Sequence, residues 1–239
     1  MPFWEIYSYF YSLSLGNSFP YRRLLEDLIN TLQTKEGDRI LDAGCGPGLL
    51  MGRIIEENKE RRINITGLDF NKRMIKHAQR RCKDFPNVKL EVADLNRSLA
   101  FPDNSFDKVI CSNTLYALED PRKVISEFHR VLKRGGTAII ANPKPNAGEN
   151  ALIREHIRAL NRLTPFGRRI YHIIVSILLI PVNLAVITIN RVIVEKGRSG
   201  QYHFLAKEDL QKILQAVGFK NIDVSSCYAD QDWLVRAEK

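Results

Sequence analysis

Asp42 ends an apolar run, Arg39-Ile40-Leu41, and opens a ladder of glycines in Asp42-Ala43-Gly44-Cys45-Gly46-Pro47-Gly48. Leu49-Leu50-Met51 then begins a helical pattern. A strand that turns through glycines into a helix lets backbone approach a ligand closely and aims helix N–H groups at it. The spacing separates the possible ligands. A dinucleotide fingerprint, G-x-G-x-x-G, needs a small residue in its third slot, and here that slot is Leu49. A P-loop needs Gly-Lys-Ser/Thr, which does not follow this ladder. The ligand-free alternative is an ordinary tight strand–helix turn.

Two further aspartates repeat the placement. Asp69 closes Gly67-Leu68-Asp69, with Phe70 after it. Its carboxylate can accept both hydroxyls of a ribose, or it can cap the helix that starts near Lys72. Asp94, in Ala93-Asp94-Leu95, can accept from an adenine amino group while a backbone N–H meets a ring nitrogen. The four cysteines, Cys45, Cys82, Cys111 and Cys227, show no CxxC or Cys/His spacing, so no metal site is expected and reduced, buried thiols fit the cytosol. The N-terminus lacks a basic region followed by an apolar one, so no signal peptide is read.

The elements that must hold these residues follow from periodicity and turn signals. Strands are expected at 38–43, 63–69, 88–92, 106–111, 137–141, 222–225 and 233–237. Helices are expected at 47–58, 71–83, 121–132 and 206–217, with two more in 2–33 broken at Gly16-Asn17 and Pro20. Arg134-Gly135-Gly136 is expected to end the helix before the fifth strand. Such alternation implies an α/β fold with a mainly parallel, doubly wound sheet, whose ligands bind beyond the carboxyl ends of the strands. Asp42, Asp69 and Asp94 should therefore share one crevice.

Taken together, the glycine ladder, Asp69, Asp94, the phrase Phe101-Pro102-Asp103-Asn104-Ser105-Phe106-Asp107 and Val131-Leu132-Lys133-Arg134-Gly135-Gly136 resemble class I S-adenosylmethionine-dependent methyltransferases. The likeness is to the quinone, sterol and small-molecule branch and covers about residues 36–142. It implies a Rossmann-like seven-stranded sheet and S-adenosylmethionine as cofactor. By that resemblance Asp42, Gly44 and Gly46 hold the methionine part, Gly48 allows the turn, and Cys45 fills a variable slot among these cofactor residues. Asp69 takes the ribose, Phe70 packs on adenine, Asp94 and Leu95 hold the adenine edge, and Asn113 lines the pocket under the methionine portion. Tyr21 and Arg22 belong to a Pro-Tyr-Arg phrase that some relatives use near the cofactor. An Asn/Asp-Pro-Pro-Tyr tetrapeptide is absent after the fourth strand, where Cys111-Ser112-Asn113-Thr114-Leu115-Tyr116 stands. This weakens a reading as a nucleobase or glutamine N-methyltransferase.

Methyl transfer from a sulfonium needs proximity and alignment, and a base only where the acceptor must lose a proton. Of the five histidines, His203 is the candidate base, with a packing role as the alternative. Tyr7 and Tyr11, four residues apart on one helix face, are candidates to cover the methyl group.

The chain divides into an N-terminal helical cover (1–35), the cofactor-binding core (36–142), an inserted apolar and basic helical cap (143–203) and a closing helix with strands (204–239). Residues 151–200 hold eight arginines and lysines against two glutamates, so +6 of the net +9 lies in one segment. Residues 171–190 carry no formal charge. That is close to the ~20 residues that span a bilayer, but Pro181 and Asn183 interrupt the run, and a crossing would separate the last strands from their sheet. Two short helices meeting at Pro181 are expected instead. They would serve as a lid over the site, a homodimer contact, or a peripheral anchor on an anionic membrane through residues 168–191. The acceptor expected is lipophilic: a quinone precursor, a sterol-like molecule or a phospholipid. Methylation of a soluble small molecule and a non-catalytic cofactor-binding scaffold are the alternatives. Nucleic acid is disfavoured, because the basic segment lacks interleaved aromatics for base stacking.

Overall fold

Alternation along the central strands creates two buried faces. Ile40, Ile110 and Ile139 pack on one side of the sheet, and Leu41, Val109 and Ile140 on the other. In the computed structural model, which describes residues 14–239, these residues belong to β1 (Arg39–Ala43), β4 (Phe106–Ser112) and β5 (Leu132–Pro143). With β2 (Asn64–Asp69), β3 (Val88–Val92), β6 (Lys220–Cys227) and β7 (Asp232–Glu238) they form one sheet ordered β3-β2-β1-β4-β5-β7-β6. Strand β7 runs antiparallel to both of its neighbours, β5 and β6, and the other pairings are parallel. The order in which strands are added to the sheet switches sides between the parallel neighbours β1 and β4, which opens the crevice at their carboxyl ends.

One face is covered by α1 (Phe19–Leu32) and α2 (Leu49–Glu57), through Leu24, Leu28, Met51 and Ile54. The other carries α4 (Pro121–Val131) and α8 (Lys207–Val217), through Ile125, Phe128, Leu210 and Leu214. The helix α3 (Lys72–Arg81) packs beside β2 and β3. Helix starts follow local chemistry. Ser18, Asn71 and Asp120 each accept a backbone N–H of the first turn, and Pro20 and Pro121 sit where a missing N–H costs nothing. Pro20 thus starts α1 rather than merely breaking a longer helix.

Two local expectations are corrected. The segment Arg134-Gly135-Gly136 does not separate α4 from its strand: Leu132 is already extended at φ −69°, ψ 140° and pairs with Phe106. The ladder slips and resumes at Lys108–Thr137, so the glycines form an irregularity inside β5. In the segment between β5 and α8 the helices are α5 (Glu149–Arg162), α6 (Phe166–Leu178) and α7 (Ile180–Arg198). The break falls at Leu179 rather than Pro181, because proline is accommodated in a first turn, and α7 is long, at 19 residues. The axes of α6 and α7 are bent by 57°, and no single described helix is long and apolar enough to cross a membrane.

Candidate cofactor and acceptor site

The carboxyl ends of β1, β2, β3 and β4 surround a cavity of about 480 Å³, within the ~300–1,000 Å³ of small-molecule sites. Its lining includes Asp42, Gly44, Cys45, Gly46, Asp69, Phe70, Asp94, Leu95 and Asn113. These nine expected residues are brought together from four strand ends. Gly48 is not among the lining residues; it turns the chain into α2 with φ +75°, and a Cβ there would lie 3.1 Å from Ala78 of α3. His203, the candidate base, is not among the lining residues either. Its ring Nε2 lies 3.2 Å from the Glu119 carbonyl and its backbone N–H donates to Tyr116 O at 2.7 Å, so it fastens the insertion's return to the core. Tyr7 and Tyr11 lie outside the described residues.

The glycine loop is shaped by its neighbours. A Cβ on Gly44 would meet Thr114 Oγ1 at 2.2 Å, so this position admits no side chain. Gly46, at φ +52°, lines the cavity with open space where a Cβ would stand, an unfilled cradle beside the backbone. Gly67 of β2 lies beneath: a Cβ there would approach Met51 Sδ at 2.7 Å and Leu90 Cδ2 at 2.8 Å. In the sequence a lone glycine in a strand signals only that something approaches closely, so the role of Gly67 is visible only in the fold.

Charge in the pocket is unusual. Asp42 is 2% exposed, and its Oδ2 has no hydrogen-bond partner among the described residues. Burial, reinforced by Asp69, pushes its pKa up to about 7. Asp69 accepts from the Asn71 N–H at 2.8 Å and the Gly46 N–H at 3.0 Å, yet burial still raises its pKa. Burial also pushes up the Cys45 thiol, which makes it a packing residue rather than a nucleophile. Asp94 is held toward the rim by Asn96, whose N–H and side-chain amide both reach its Oδ1 at 3.0 Å.

On the far side of Asn113 lies a part of the site that was not legible in sequence. Asn113 adopts φ +50°, and its side chain hydrogen-bonds Asp232, while its own Oδ1 and Asp232 Oδ2 are buried without partners among the described residues. Burial raises Asp232 to about 7, against the pull of Asn113 and Lys144. Asp232 sits 119 residues beyond Asn113, and only the β5–β7 pairing brings them together. Next to them Tyr116, which lines the cavity, stacks on Phe204 with centroids 5.4 Å apart and meets Tyr202 edge-on at 5.7 Å. Ile193 of α7 completes this cluster.

Comparison with known proteins agrees with this geometry. A family described as a methyltransferase domain matches residues 34–218. The phosphatidylethanolamine N-methyltransferase of Cereibacter sphaeroides is 30% identical over 142 residues, 58% of this chain and 64% of that protein. The demethylmenaquinone methyltransferase of Staphylococcus carnosus is 24% identical over 202 residues, covering 83% of this chain and 75% of the relative. The chain spans 33%, 64% and 50% of the lengths of the first three curated relatives it matches. Among solved structures, an S-adenosylmethionine-dependent methyltransferase from Mesorhizobium loti superimposes with TM-score 0.61 at 21% identity, covering 90% of this chain and 96% of that one. One from Aquifex aeolicus gives 0.59 at 17%, covering 89% and 88%. At those identities the likeness is one of fold.

The donor set fits S-adenosylmethionine. The orphaned, buried Asp42 Oδ2 wants a cationic or N–H donor. The Gly46 cradle leaves room for a chain pressed against backbone. Each Asp69 oxygen keeps a second lone pair for a hydroxyl.

Proposed function

We propose that this chain, which belongs to the family of S-adenosylmethionine-dependent methyltransferase domains, transfers a methyl group to a lipophilic acceptor. The cofactor, when bound, supplies a methyl group made electrophilic by its sulfonium. The chain's own residues bind, orient and exclude water. Asp42, Gly44 and Gly46 would hold the methionine portion, Asp69 the ribose, and Phe70, Asp94 and Leu95 the adenine. Asn113, fixed by Asp232, would present its free carbonyl oxygen at the methionine end. An in-line displacement asks mainly for proximity and alignment, which rigid strand ends provide.

The observation that carries the acceptor class is the aromatic wall. Tyr116 lines the cavity on one side and packs against Tyr202, Phe204 and Ile193 on the other. One side of the pocket is therefore backed by an aromatic and apolar cluster, which joins Tyr116 to Ile193 of α7 and to Tyr202 and Phe204 just after it. Relatives named for phosphatidylethanolamine and demethylmenaquinone support the same class of acceptor.

The test is to incubate the protein with S-adenosylmethionine labelled in its methyl group, together with organic and aqueous extracts of cells. Label is expected in the organic-extractable fraction. Label confined to water-soluble products would replace the lipophilic acceptor with a soluble one.

A further inference from the structure

Thirteen large apolar residues are exposed among the described ones, and two of them, Phe70 and Val92, belong to the cavity. The other eleven fall between Ile153 and Val192, all on α5, α6 and α7. They are ordered by helical spacing. On α6 Phe166, Ile170, Ile174 and Leu178 recur every four residues and are exposed, while His172 on another face is buried. On α7 Ile180, Leu184 and Val192 keep the same register, and Val186 and Ile193 turn inward. The two stripes meet at the 57° bend, where Leu178 is 71% exposed. The result is an apolar elbow. Arg168 and Arg169 stand about ten residues before it and Arg191 about ten after it, or ~15 Å along each arm at 1.5 Å per residue.

We infer that this elbow seats the protein on an anionic lipid surface, with the outer stripes of α6 and α7 at the acyl boundary and the flanking arginines among the headgroups. Large exposed apolar patches mark interaction sites, and charge selects the partner. The segment 151–200 carries a net +6. A second copy would bring that charge against itself, whereas an anionic bilayer neutralises it. Depth is limited to the interface. Before the elbow the chain comes from β5, and after it α7 returns to Tyr116 through Ile193, so both arms rejoin one sheet on one side of the membrane. The same helix α7 thus touches the cavity wall and carries the lipid-facing stripe, which joins the surface to the pocket.

Flotation of the full chain with vesicles tests this. Wild type should float with vesicles of phosphatidylcholine mixed with phosphatidylglycerol, less so with phosphatidylcholine alone, and less as salt rises. Substituting Ile177→Ser, Leu178→Ser and Ile180→Ser together, all at exposed positions, should abolish flotation at any salt while leaving the unfolding temperature unchanged. Substituting Arg168→Gln, Arg169→Gln and Arg191→Gln should remove the preference for anionic vesicles, about a hundredfold in partitioning. The proposal is overturned if wild type fails to float with anionic vesicles at low salt, or if the elbow variant floats as well as wild type. It is also overturned if light scattering without vesicles shows a dimer that the elbow variant dissolves. Failure here is distinct from failure of the acceptor assignment. A protein that floats but labels only water-soluble products keeps its docking surface and loses the lipophilic acceptor.

Discussion

The N–H of Gly46 donates to Asp69 Oδ2 at 3.0 Å, so the glycine loop after β1 is tied to the carboxylate that ends β2. The other oxygen of Asp69 accepts from Asn71 at 2.8 Å, at the cap of α3. One side chain therefore fixes the loop, starts a helix and leaves lone pairs toward the cavity.

Replacing Asp69 should weaken cofactor binding more than it weakens the fold. Hydrogen bonds to charged groups contribute about 1.5–3 kcal/mol, so Asp69→Ala should raise the dissociation constant for S-adenosylmethionine by roughly ten- to hundredfold in calorimetry. Thermal unfolding should report a smaller loss, because the Asn71 side chain still caps α3. An unchanged dissociation constant would reduce Asp69 to a brace for the loop.

The buried Asp42 predicts a pH dependence of known sign. Its carboxyl is raised from 3.8 to about 7 in the folded chain by burial and by Asp69. Between those values the unfolded chain releases a proton that the folded chain keeps. The contribution is fully present below pH 3.8 and is lost as pH rises through about 7. Glu127, held down by its hydrogen bond with Arg130, slopes the other way, so the informative quantity is a difference. Wild type minus Asp42→Asn, measured as unfolding temperature across that window, should fall with rising pH. Saturating S-adenosylmethionine should flatten the fall, since a cationic group beside Asp42 favours the ionised carboxylate. A flat difference without ligand would show that Asp42 ionises normally in the folded protein.

What was legible in the sequence was local. The glycine ladder, Asp69 and Asp94 announce themselves because strand, turn and helix signals are contiguous, and the doubly wound order follows from the alternation of elements. What depended on distant chain was hidden. Asp232 reaches Asn113 only through the pairing of β7 with β5. His203 reads as a base by residue type, but it is committed to the carbonyl of Glu119, 84 residues away in sequence. The break falls at Leu179 and not at Pro181, because proline signals a boundary more strongly than it marks on which side the helix begins.

The glycine loop itself allows binding to be separated from folding. Gly44 and Gly46 both hold positive φ, +85° and +52°, so an alanine at either carries the cost of a left-handed backbone, about 1–2 kcal/mol. Beyond that they differ. At Gly44 a Cβ would stand 2.2 Å from Thr114 Oγ1 and 2.7 Å from Thr114 Cβ, and the β1 and β4 ends would have to part. At Gly46 a Cβ meets nothing within 4 Å and projects into the space where the ligand would press on backbone. Gly46→Ala should therefore remain folded, with an unfolding temperature lowered by a few degrees, while losing most of its affinity for S-adenosylmethionine. Gly44→Ala should lose both, and pairing it with Thr114→Gly should restore stability before it restores binding. Calorimetry and thermal unfolding on the three variants distinguish these outcomes. If Gly46→Ala binds as wild type does, the cradle is not where the cofactor lies.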